Sequence, residues 1–221
     1  MLDGSKLREA IPQTCHELAQ ISGLDSTRLI EANSRIWESY WPTVEEKWAL
    51  GQISSTAISL EAWRRTLRRC GRDDDSLARS AVDILSEKRR KMLHLYDDVR
   101  ETLDPLKPNY RLALITNGAS DTQRGSIRAL GIEQMFDGVI ISGEIGVQKP
   151  DPYVFRLALS RLRVEPEKAW HVGDSLRQDV GGARGAGLTA VWLNRAGVAR
   201  KENDLEPDYT IRSLRDLPSL L

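Results

Sequence analysis

Thr116, Lys149 and Asp174 supply a hydroxyl, an ammonium and a carboxylate in that order along the chain. Thr116 follows the apolar run 112–115 and opens a Thr-Asn-Gly sequence at 116–118. Lys149 sits in Val-Gln-Lys-Pro-Asp-Pro at 147–152. Asp174 follows Gly173 and a second apolar run at 169–172. Short apolar runs alternating with helical stretches read as buried parallel strands. In an open parallel sheet a ligand lies beyond the carboxyl ends of the strands. The three groups are therefore expected at one edge, where they suit a phosphate ester and a divalent cation.

Each group also has a plainer reading. The Thr116 hydroxyl and the amides after it can hydrogen-bond phosphoryl oxygens as charge develops, or Thr-Asn-Gly can be a turn capping the next helix. Pro150 keeps Lys149 extended and out of a helix, although a lone lysine is ordinarily a solvated group. Asp174 and Asp179 offer the hard oxygens that magnesium needs. Asp174 and Ser175 can equally cap a helix, with Gln178 completing the box, and both readings can hold together. Gly181, Gly182, Gly185 and Gly187 are read as letting a helix lie close to the sheet, not as a phosphate loop. His171 is read as a strand residue and Asp151 as a helix start. Arg64, Arg65, Arg68, Arg69 and Arg72, with the basic run 88–91, are read as solvated helix faces, not a nucleic-acid surface, because Asp73, Asp74 and Asp75 neutralise the neighbourhood. Trp37, Trp41, Trp48 and Trp63 are read as core, with a pocket lining as the alternative.

Taken together, Thr116, Lys149, and Asp174 with Asp179 resemble the second, third and fourth motifs of the haloacid dehalogenase-like (HAD) hydrolases. The resemblance covers roughly 96–212 well and the earlier part loosely. It implies a magnesium-dependent phosphatase acting on a small phosphorylated metabolite. It also implies that Thr116, Asn117 and Lys149 bind phosphate, that Thr116, Lys149 and Asp174 are catalytic, and that Asp174 holds Mg2+ with Asp179 supporting it. Thr116-Asn-Gly with Gln123, and the strand end 191–194, resemble the branch containing N-acylneuraminate phosphatases and nucleotidases. The family's first motif, Asp-x-Asp at the end of an opening strand, supplies the nucleophile and further metal contacts. That strand is missing here, so weak magnesium binding and an inactive chain are expected.

Two alignments of the first residues remain open. Asp3 equates with the general acid/base in one; in the other, favoured by the helical periodicity from Leu7, residues 1–3 follow the motif and lead into a cap. The missing strand would lie mid-sheet, between those ending at Thr116 and Gly173. Its loss would leave unpaired backbone groups, which are costly when buried. Met1 is accordingly expected to be a misplaced start. The rival reading is a non-catalytic HAD-like protein acting as a binding or interaction module.

The elements that must position these groups follow from periodicity. Residues 1–95 read as an all-helical cap and 96–221 as a Rossmann-like core, giving an α/β fold with a doubly wound parallel sheet. Pro12 should limit or kink the first helix. Ser26, Thr43 with Glu46, and Ser59 are the expected caps. Strands are expected at 111–115, 139–141, 169–173, 189–193 and 209–211. Net charge is zero over 221 residues, which implies neither a nucleic-acid nor an acidic partner. Cys15 and Cys70 have no metal or redox spacing. No signal peptide or membrane span is read, so the expected location is cytoplasmic.

Overall fold

The computed structural model describes residues 1–221. In chain order the elements are β1 (Leu2–Asp3), α1 (Ala10–Ser22), α2 (Ser26–Ala49), α3 (Ser55–Arg69), α4 (Asp75–Met92) and β2 (His94–Leu95). They continue with α5 (Asp98–Leu106), β3 (Ala113–Thr116), α6 (Ser120–Ala129), β4 (Gly138–Ile141) and α7 (Ser142–Ile145). Last come α8 (Pro152–Leu162), β5 (Trp170–Gly173), α9 (Gly181–Gly185), β6 (Thr189–Leu193) and β7 (Tyr209–Ile211). The chain divides into two compact units, one of residues 1–95 with 119–130, the other of 96–118 with 131–221.

The first unit is built on α1 to α4. Their apolar stripes converge on Leu18, Leu29, Trp63, Leu67, Ala78 and Leu85, all buried. Burial of such a stripe, more than propensity, holds a helix in a folded protein. The caps fall on residues other than those expected. Asp25, Ser54 and Asp74 accept from the amides of Arg28, Ala57 and Leu77. Thr43 and Glu46 cap nothing, because α2 runs straight through Pro42. Ser59 lies buried inside α3. Trp63 is fully buried, as the core reading expects, while Trp37, Trp41 and Trp48 pack half-buried around Tyr40, Val44 and Ile58. Leu2 and Asp3 pair antiparallel with Leu95 and His94, so the two ends of this helical segment meet.

The second unit is α/β. β3 pairs parallel with β4, and β5, β6 and β7 form a second parallel set in that order. No ladder joins β3 to β5. Phe155 and Val154 of α8, with Val180 and Ala183, cover Ile140, Ala190 and Trp192 to form the core. A π-helical turn over Leu176–Val180 leads directly into α9.

Asp98 ties the end of the chain to the start of this unit. Arg195 grips its carboxylate with two guanidinium nitrogens, at 2.7 and 2.9 Å. The Ser213 hydroxyl and the Leu214 amide donate to it at 2.7 and 2.8 Å. The Arg195 guanidinium also lies 4.1 Å from the centre of the Tyr96 ring.

Candidate active site

Thr116 and Gly173 are the last residues of β3 and β5. Strand geometry therefore delivers Thr116-Asn117 and Asp174 to carboxyl ends, where sequence reasoning put them. Gly118 adopts φ 140°, and its amide donates to the buried Ser142 hydroxyl at 2.9 Å. That contact fixes the turn after β3 against the end of β4.

Asn117 locates Lys149. Its side-chain nitrogen donates to the Lys149 carbonyl at 3.1 Å, and its side-chain oxygen accepts from the Lys149 amide at 2.9 Å. One amide side chain thus engages both backbone groups of a residue 32 positions away. The Lys149–Pro150 peptide is cis. From this anchor the Lys149 ammonium reaches the Ile115 carbonyl at 3.4 Å and Asp179 Oδ1 at 2.6 Å.

Asp179 is the centre of the cluster and is only 4% exposed. Its Oδ1 also meets His171 Nε2 at 3.0 Å, and its Oδ2 accepts from the Ser175 amide at 3.0 Å. Burial works against ionisation of Asp179. The bond from His171 and the charge of Lys149 more than offset it, holding the carboxyl far below the usual range. Burial pushes the His171 pKa down, against the pull of Asp179. A neutral imidazole carrying its proton on Nε2 satisfies this geometry, with the tautomer assigned from the contact.

A Cβ built on Gly173 would stand 2.2 Å from Asp179 Cγ and 2.5 Å from its Oδ2. Glycine is therefore required here by contact with the carboxylate. Gly173→Ala is expected to lower stability by about 1–3 kcal/mol, as overpacking of an anchored group does. A fall in the urea midpoint without a change in slope would show it; an unchanged midpoint would mean that Asp179 can retreat.

The structure brings Asn117, Lys149 and Asp179 into direct contact. Asp174 is exposed, and its carbonyl accepts from Trp192 Nε1 at 3.0 Å. Both oxygens of Asp179 are engaged by protein donors, so Asp174 is the carboxylate available to a cation. No three His, Cys, Asp or Glu side chains gather into a cation site. Sequence reasoning missed the contact of His171 with Asp179 and the grip of Asn117 on Lys149. The His171 spacing, eight residues before Asp179 across a strand and a turn, was a signal only once the turn was known.

The chain thus joins an α/β unit, with a hydroxyl, an ammonium and carboxylates at or near its strand ends, to a mainly helical unit, the arrangement of a two-unit α/β class. The comparisons with known proteins are consistent with that class. A family model, haloacid dehalogenase-like hydrolase, matches residues 2–187. The chain belongs to this family. It is 34% identical over 169 residues to the mouse (Mus musculus) N-acylneuraminate-9-phosphatase, a match covering 75% of this chain and 68% of that protein. It is 37% identical over 156 residues to a Thermus thermophilus phosphoserine phosphatase, covering 70% of this chain and 61% of that one. Among solved structures it resembles a 2-haloacid dehalogenase from Pseudomonas syringae pv. Tomato DC3000. There the TM-score is 0.70 at 26% identity, covering 100% of this chain and 93% of that one.

Proposed function

We propose that the chain belongs to a magnesium-dependent phosphatase of a small phosphomonoester. The observation that carries this reading is Lys149, clamped by Asn117 beside the end of β3 with its ammonium held by Asp179. Relatives named as phosphatases for an acylneuraminate and for phosphoserine support it. In this reading Thr116, Asn117 and Lys149 receive the phosphoryl group and offset its charge. Asp179 positions Lys149, and Asp174 holds the cation. Magnesium, when bound, would polarise a phosphoryl oxygen. A small phosphorylated metabolite is the partner, and the compartment is cytoplasmic. No helix is long and apolar enough to cross a membrane.

The family reaction starts with attack by a strand-end aspartate to give an aspartyl-phosphate. No strand of this chain ends in Asp-x-Asp. The 221-residue chain is thus expected to bind phosphomonoesters without turning them over. The test is phosphate release from a panel of phosphomonoesters with magnesium, by this chain and by one extended through any in-frame strand encoded upstream of Met1. Turnover by the longer chain, reduced about 10²–10³-fold by Lys149→Ala, is the expected result. No turnover by either would favour the second reading, a non-catalytic binding module. Chloride release from 2-chloropropionate, in place of phosphate release, would move the chain to the dehalogenases.

A further inference from the structure

On the helical unit, α2 and α3 border a cavity of about 280 Å³ lined by Arg28, Glu31, Ala32, Arg35 and Arg69. These arginines differ from their neighbours. Arg64, Arg65, Arg68, Arg72 and Arg79 each pair with a carboxylate, through Asp75, Glu61, Asp73, Asp74 and again Asp75. Arg28, Arg35 and Arg69 form no ion pair, not even with Glu31 beside them. Asp25, at the start of α2, uses Oδ1 to accept from the Arg28 amide.

Helix geometry puts Arg28, Glu31, Ala32 and Arg35 on one face over two turns. Arg69, in the last turn of α3, completes the lining. Buried Ala32 keeps the floor short, so an occupant can settle between the guanidiniums. Three guanidiniums against one carboxylate suit a dianion. Guanidinium forks match the geometry of phosphate oxygens. The volume is at the low end for ligand pockets and suits a small anion, not a nucleotide.

We propose that Arg28, Arg35 and Arg69 form a binding site for a phosphate-class dianion, either free inorganic phosphate or the phosphate group of a small metabolite. Arg35 lies thirteen residues before Trp48, roughly 20 Å along α2. Trp48 Nε1 bonds Ser55 at that far end, where Ser55 and Thr56 contact Thr122 and Asp121 of α6. The arginine site is thus at the opposite end of the α2–α3 pair from α6. It does not depend on the phosphatase reading.

The test is isothermal titration of the full chain with inorganic phosphate, at ionic strength balanced with sodium chloride. The expected result is saturable binding that survives Lys149→Ala and weakens at least tenfold in Arg35→Gln and in Arg69→Gln. Thermal unfolding of the two arginine variants without phosphate checks their folding, and Arg35→Lys should recover part of the affinity. Phenyl phosphate supplies the second arm. Tighter binding than inorganic phosphate assigns the site to an esterified group, and weaker binding assigns it to the free ion. Binding that vanishes in Lys149→Ala and persists in both arginine variants, or no saturable binding once ionic strength is balanced, would overturn the proposal.

Discussion

Asp98→Ala is expected to lower stability by about 3–5 kcal/mol, the cost of leaving one member of a buried charge pair unpaired. Four donors converge on the Asp98 carboxylate, from Arg195, Ser213 and Leu214. Removing it would strand the Leu214 amide and the Arg195 guanidinium together. The same network gives a pH signature. Burial raises the Asp98 pKa, yet the hydrogen bonds from Arg195, Ser213 and Leu214 outweigh it and bring the value to about 2. The folded pKa lies below the ordinary 3.8. Stability from this group is therefore fully present above that value and is lost as pH falls towards 2. Urea unfolding of wild type and Asp98→Ala at several pH values checks both claims. The gap between them should be constant near neutrality and narrow in acid. A gap below 1 kcal/mol at pH 7 would show that Arg195 finds water at no cost.

Asp179→Asn should be comparably severe, again about 3–5 kcal/mol. The substitution preserves shape and removes the charge. It leaves the Lys149 ammonium, on a side chain 11% exposed, facing a neutral amide in place of a carboxylate at 2.6 Å, with the Ile115 carbonyl at 3.4 Å as its other partner. The asparagine keeps one oxygen to accept from His171, but its NH2 group meets the Ser175 amide donor where Oδ2 accepted before. A double-mutant cycle with Lys149→Met separates the pair from its surroundings. If Lys149→Met restores part of the stability lost in Asp179→Asn, the loss came from the uncompensated ammonium. Strict additivity would place the cost in the Ser175 turn instead.

The strand ends were legible because a buried parallel strand must be a short apolar run, and such runs stop where the chain turns. β6 and β7 fall on 189–193 and 209–211 as read, and β5 begins one residue inside its expected range. Helix boundaries were less legible. Asp25, Ser54 and Asp74 compete with nearby polar residues of equal capping ability, and tertiary packing decides among them. Pro42 breaks no helix because the stripe through Tyr40 and Val44 keeps α2 buried on one side. The site was readable as a set of residue types, but its wiring was not. Asn117 meets Lys149 only because the chain, after passing through α6, β4 and α7, returns 32 positions later to the end of β3. His171 looked like strand filling because a strand places alternate residues on opposite faces, and nothing local says which face Asp179 occupies.

The break between β3 and β5 bears on how the protein behaves at high concentration. β6 is largely buried and β4 is buried over its last two residues, whereas every residue of β3 and of β5 is only half-buried. Each strand offers one side to β4 or β6 and has no strand on the other. A strand edge with no neighbouring strand is a template for another chain. Neither strand carries the lysine or proline that commonly blunts such edges; their residues are Ala-Leu-Ile-Thr and Trp-His-Val-Gly. Strand addition at these eight residues of sheet edge is therefore the expected route of self-association at high concentration.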